Sequence, residues 1–209
     1  MSEISSPTRT ALQQRVSAAI LEAAAKVLAA DGEQASMLDV AAAAGVGRAT
    51  VYRYFPSRQV LLDELADVAL ERAGERLMAA SLDRVPPSEA ISRAVRALVD
   101  VGDYFVVLER ERVRPDAARL EEQIGARLRA VLERGQTTGE IRDDVPASWL
   151  TEALLGLVVN ILVAPRLLGV EDTIAAITSL FLDGCAGPGS GKRATERPLT
   201  VPGEGGSND

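Results

Sequence analysis

Residues 48 to 53 of this 209-residue chain read Arg48-Ala49-Thr50-Val51-Tyr52-Arg53. They gather three complementary kinds of chemistry within two turns of a helix. An arginine can donate paired hydrogen bonds to the edge of a guanine, an alanine can touch the methyl group of thymine, and a threonine hydroxyl can bond a phosphate oxygen. The set suits the reading of double-stranded DNA, provided that the residues face outward together. The apolar positions decide this: with Val51 and Phe55 turned inward, Arg48, Ala49, Thr50 and Arg53 must point elsewhere. Taken singly, each arginine reads equally well as a solvated charge, because Arg outnumbers Lys by 21 to 2 in the chain. Tyr54 packs between helices as readily as it reaches DNA, and Tyr52 has the same alternative with less to favour it. The joint placement is what favours DNA.

Positioning these groups falls to the segments around them. Ile20, Ala24, Val27 and Leu28 form a helical stripe that stops at Asp31-Gly32. Ser36 and Asp39 make a Ser-x-x-Asp capping box that opens a second helix, about Met37 to Ala44. Gly45-Val46-Gly47 is a tight turn; no strand precedes it, so a nucleotide-binding loop is not expected. Arg48 to Tyr54 then forms a short third helix, halted by Pro56. Two short helices joined by such a turn are the layout of a helix-turn-helix. Val40, Ala41 and Ala44 face Val46, Val51 and Phe55, and the small alanines permit close approach.

The run Gly45-Val46-Gly47-Arg48-Ala49-Thr50-Val51-Tyr52-Arg53-Tyr54-Phe55-Pro56-Ser57-Arg58, followed by Leu61 and Leu62, resembles the DNA-binding domain of the tetracycline-repressor (TetR) family. The resemblance spans Ile20 to Leu65. Beyond it, the Gly139-Glu140-Ile141-Arg142 turn and the helix starting near Trp149 are fainter echoes. The resemblance implies that Arg48, Ala49 and Thr50 stand at the front of a recognition helix, that Tyr52 and Tyr54 reach phosphates, and that Arg58 bonds a phosphate from the start of helix four. Ser36 and Met37 would approach the DNA backbone with the N-terminus of helix two. Two positions depart from the family pattern: Gly47 replaces a Ser or Thr cap, and Leu38 replaces a residue that is often basic.

The remainder also reads as helical. Ser57 caps a fourth helix to about Leu82, a fifth runs from about Ser88 to Glu109, and a sixth, carrying Leu120, Ile124, Leu128, Val131 and Leu132, ends near Gly135. The last two cover about Ala147 to Ala164 and Val170 to Leu182. No sustained two-residue alternation occurs, so the expected class is all-α: an N-terminal three-helix helix-turn-helix DNA-binding domain (1–58, with helix four beginning near 57) and a C-terminal helical ligand-binding and dimerisation domain (59–185). The Gly-, Pro- and Ser-rich segment 186–209 is expected to be a disordered tail.

The helix from Trp149 to Ala164 is apolar on nearly every face, which calls for burial both within the monomer and against a second copy. A central helix buried within one monomer is the alternative. The expected homodimer interface is Leu154, Val158, Ile161 and Leu162 with Ile174, Ile177 and Phe181 of the last helix. A small apolar effector is expected among helices four to eight, near Tyr104, Phe105, Leu128 and Trp149. The function these expectations add up to is a ligand-responsive regulator, a repressor by default, released from a palindromic operator.

Composition removes other classes. The chain has no histidine and a single cysteine, Cys185, which leaves no zinc or haem site, no disulfide and no nucleophile paired with a base. No cofactor and no enzymatic activity are expected. The longest apolar stretch is short for a bilayer and is interrupted by polar residues, so no membrane association is expected. Met1–Thr10 lacks the features of a signal peptide, and a cytoplasmic location follows. The net charge of −7 is unevenly spread: residues 1–58 hold six Lys or Arg against five Asp or Glu, and the rest hold 17 against 25. The acidity that would repel phosphate therefore lies outside the helix-turn-helix.

Overall fold

The computed structural model describes residues 7–165 and 167–187. Among these, ten α-helices follow one another: α1 (Pro7–Asp31), α2 (Met37–Ala43), α3 (Arg48–Tyr54), α4 (Arg58–Ala79), α5 (Pro87–Val99), α6 (Gly102–Arg110), α7 (Ala117–Leu120), α8 (Ala126–Thr138), α9 (Ala147–Val163) and α10 (Val170–Cys185). A π turn, Glu121–Gly125, joins α7 to α8. The described residues form no strand; one isolated bridge pairs Ile141 with Ala186. The all-α expectation is met.

The helix-turn-helix is tied to the body by α4. Its buried stripe Leu61, Leu65, Ala69, Leu70, Ala73 and Leu77 belongs to the same apolar cluster as Val51 and Phe55 at one end and Ile91, Leu128 and Leu132 at the other. Helix α1 packs on α2 and also on α6, while α5 lies between α10, α8 and α4, and α9 rests on α8 and α6.

Three expectations change. The fifth helix is two helices, broken at Asp100 and Val101. There Gly102 lets the Leu162 side chain approach to 3.0 Å of where a Cβ would stand, so the break seats α9 against α6. The sixth helix runs on past Gly135 and stops at Gly139, whose φ of 77° terminates it. The start of the expected tail is ordered: Ala186 takes part in the bridge, and the Gly187 N–H donates to the Glu140 carbonyl at 3.1 Å. Residues 188–209 lie outside the described residues.

Five of the seven expected dimer residues face the chain's own core. Leu154, Val158, Ile174, Ile177 and Phe181 are buried within the single chain, and Ile161 and Leu162 are half-buried. The apolar residues of α9 extend around the helix, and a linear pattern cannot say which face meets the chain's own helices. The outward face carries Trp149, Ala153 and Asn160.

Candidate nucleic-acid interface

The segment from Ser36 to Phe55 is locally over-determined. At the start of α2, the Ser36 N–H donates to Asp39 Oδ2 at 2.8 Å, the Ser36 hydroxyl donates to the same oxygen at 2.6 Å, and the Asp39 N–H reaches Ser36 Oγ at 3.3 Å. The Ser36 hydroxyl, and next the Ser36 N–H, hold the Asp39 carboxyl below its ordinary pKa. The cap is therefore at full strength above the usual aspartate range, near about 3.9, and is lost as the pH falls through the lowered value. Gly45 turns the chain at φ 66°, a conformation that favours glycine. The Val46 N–H returns to the Ala41 carbonyl at 3.0 Å. Gly47 caps α3 with backbone alone.

Val40, Ala41, Val51 and Phe55 are buried, fixing α3 against α2. Arg48, Ala49, Tyr52 and Arg53 are consequently exposed, and Thr50 and Tyr54 are half-buried. The Arg48 guanidinium lies 5.3 Å from the centre of the Tyr52 ring, and that of Arg53 5.4 Å from Tyr54, both within cation–π reach. Ser36 is exposed at the N-terminus of α2. Met37 is buried, so it meets DNA at most through its backbone. Leu38, in the first turn of α2, is 58% exposed, an apolar side chain presented to solvent.

Arg58 is engaged within the chain. Its Nη1 donates to the Ala35 carbonyl at 2.7 Å and its Nη2 to Glu111 Oε1 at 2.5 Å. It therefore ties the loop before α2 to the end of α6. The sequence contains no signal for this pairing, because Glu111 lies 53 residues away. Glu111→Ala would leave the half-buried Arg58 with one carbonyl, at an expected cost of about 1–2 kcal/mol; urea midpoints of the two single variants and the double variant would check it, and additive effects would show that the pair contributes nothing.

A cavity of about 310 Å³ lies between α6, the α6–α7 connection, the π turn and α9, lined among others by Phe105, Leu108, Val113, Leu120, Leu155 and Val159. Of the four expected pocket residues only Phe105 lines it. Leu128 is core, and Trp149 is 72% exposed. Tyr104 is buried, with the Arg72 guanidinium 5.1 Å from its ring. Burial pushes the phenol pKa up, and Arg72 opposes this. No described protein group bonds the Tyr104 hydroxyl. Tyr104→Phe should accordingly raise stability by about 1 kcal/mol, seen as a higher melting temperature; a fall would mean that the hydroxyl is bonded. Sequence reasoning also missed two carboxylates at this cavity, Glu109 and Glu152. Glu109 pairs with Arg114 at 3.2 Å.

The described residues hold no cluster of His, Cys, Asp and Glu able to bind a metal, and no helix among them is long and apolar enough to cross a membrane. Cys185 is buried at the end of α10, and burial raises its thiol pKa.

A capped helix, a tight turn and a short helix presenting arginines, carried on a helical body with a cavity, define a helix-turn-helix regulator. The family described as "Bacterial regulatory proteins, tetR family" matches residues 20–65. The HTH-type transcriptional repressor LfrR of Mycolicibacterium smegmatis is 41% identical over 90 residues, a match spanning 43% of this chain and 47% of that protein. The HTH-type transcriptional regulator NfxB of Pseudomonas aeruginosa is 29% identical over 167 residues, covering 76% of this chain and 88% of that one. Among solved structures, LfrR from Mycobacterium smegmatis in complex with proflavine superposes with a TM-score of 0.67 at 30% identity, over 83% of this chain and 97% of that chain. The chain belongs to the TetR family of regulators, a family of transcriptional regulators and not of enzymes.

Proposed function

We propose that this protein is a homodimeric transcriptional repressor that binds a palindromic operator through α3 and is released from it by a small molecule held between α6 and α9. The observation that carries the reading is the exposed Arg48, Ala49, Tyr52 and Arg53 face of α3, held rigid by buried Val51 and Phe55. Arg48 reads a base edge, Arg53 and Tyr52 serve the groove wall and phosphates, and the N-terminus of α2 meets a phosphate at Ser36. Selection of bound sequences from a random duplex library should return a palindrome with half-sites about 10 base pairs apart, centre to centre. An asymmetric consensus, or none at low salt, would overturn this reading.

Signalling runs through α6. The helix contributes Phe105 and Leu108 to the cavity, its Arg110 donates to the Ala29 carbonyl of α1 at 2.6 Å, and Glu111, just past its end, grips Arg58. A ligand that displaces α6 therefore pulls on both ends of the α1–α2 connection. To convert a dimer from 99% binding-competent to 99% released, the ligand must prefer the released state by roughly 10⁴-fold. The apolar lining accords with an apolar effector. With Glu109 already paired with Arg114, Glu152 extends that class to an apolar ring system bearing a positive charge, the chemistry of the proflavine bound by the M. smegmatis relative. Proflavine should raise the melting temperature and lower operator affinity, and Glu152→Gln should weaken both effects. Thermal stabilisation without any change in operator affinity would remove the sensing role and leave the DNA-binding role standing.

A further inference from the structure

We propose that Arg112, just past the end of α6, is a contact to the DNA backbone supplied by the body of the protein, outside the helix-turn-helix. This deepens the operator-binding reading above and rests on it. Arg112 has a φ of 55°, in the left-handed region, and only one other described residue that is not glycine, Ser81, stands there. The region crowds a side chain against its own backbone and suits glycine. Hydrogen bonds hold it in place: the Arg112 N–H donates to the Glu109 carbonyl at 3.2 Å and the Val113 N–H to the Leu108 carbonyl at 2.8 Å. These are the paired bonds of a Schellman cap, with Arg112 at the position that glycine usually fills. Glycines take the left-handed positions at 32, 45 and 139. An arginine kept where glycine fits more easily points to a use for its side chain.

The place of Arg112 in the fold indicates that use. The end of α6 is fastened to both ends of the α1–α2 connection. Arg110 Nη1 donates to the Ala29 carbonyl at 2.6 Å. Glu111 accepts from Arg58 at 2.5 Å, and Arg58 Nη1 donates in turn to the Ala35 carbonyl at 2.7 Å. Ala35 precedes Ser36, the exposed start of α2 and its phosphate contact in the operator-binding reading. Arg112 is exposed and follows Glu111 directly, so two side-chain contacts separate its neighbour from that phosphate position. The end of α6 is thus part of the frame that presents α2 to DNA.

The charge balance at this point selects an anion. Arg58 and residues 109–114 bring together four arginines and two glutamates. Both glutamates are engaged, Glu109 by Arg114 at 3.2 Å and Glu111 by Arg58, and Arg110 donates to a carbonyl. No described carboxylate pairs with Arg112. Beyond residue 58 acids outnumber bases by 25 to 17, so this local positive excess stands out against an acidic body, beside the DNA-binding unit. The negative end of the α6 dipole does not call for it, because Arg110 already occupies the last turn. A phosphate fits the observations: it is recognised by charge, and an exposed arginine on a rigid frame supplies that charge.

Three variants of the full chain separate charge from backbone, each titrated against the selected operator and against unrelated duplex over a range of salt. Arg112→Gly and Arg112→Gln should each weaken binding to both duplexes by about eightfold per copy at about 0.1 M salt, and lower the salt slope of a dimer by about 1.8. Arg112→Lys should keep the slope. Glutamine retains the strained backbone and glycine relieves it, so agreement between the two assigns the effect to the charge. Arg112→Gly should also melt no lower than the parent chain, and ethylation interference should lose one phosphate in each half-site. If all three variants bind as the parent does, Arg112 is a solvated charge and the contact is overturned while the operator reading stands. A loss confined to Arg112→Gly overturns it as well, since the backbone and not the charge is then responsible. A parent chain that binds no duplex at low salt overturns both readings.

Discussion

Leu154→Glu should strongly destabilise the fold of each chain and not merely separate two copies. Leu154 is only 1% exposed within the single chain, on the face of α9 that packs among its own helices. A glutamate there must either ionise without a counter-ion or take up a proton against its ordinary pKa. The expected loss is roughly 3–5 kcal/mol, the range for an uncompensated buried charge, out of the 5–15 kcal/mol typical of a folded domain. Denaturant titration followed by far-ultraviolet circular dichroism should show the midpoint collapse. A folded monomer with an unchanged midpoint would instead return Leu154 to the interface and displace α9 from the position described.

Arg48→Ala should lower affinity for the selected operator by about 1–3 kcal/mol and relax the preference at one base pair in each half-site. Binding to unrelated duplex should change much less. Arg58→Ala provides the contrast. Because its guanidinium is engaged by Ala35 and Glu111, its loss should reduce thermal stability and leave the salt dependence of DNA binding unchanged, whereas loss of a phosphate contact reduces that slope by roughly one. Fluorescence anisotropy against salt concentration separates the two cases. If Arg58→Ala lowers the slope, the side chain swings out to DNA in the complex; if Arg48→Ala weakens all sequences equally, Arg48 is a phosphate contact and the reading of bases belongs elsewhere on α3.

The sequence by itself determined the DNA-binding unit. Ser36 and Asp39, Gly45, Pro56 and the spacing of Val51 to Phe55 act within one or two turns of chain, where capping, left-handed turns and the 3.6-residue period operate without reference to the rest of the molecule. That is why α2, α3 and the start of α4 fall within a residue of their expected bounds. It also determined the all-helical class, because apolar periodicity is a property of each segment separately. Tertiary structure alone decided everything that depends on which segments meet. It paired Arg58 with Glu111, buried Tyr104 and Leu128 away from the cavity, and broke the fifth helix to let Leu162 past Gly102. Within α9 it separated the face of Leu154 and Val158, buried on its own chain, from the face of Trp149 and Ala153, left exposed. A helix that is apolar all round has no preferred inward side until its neighbours are placed, and only the packing of α5, α6, α8 and α10 supplies one.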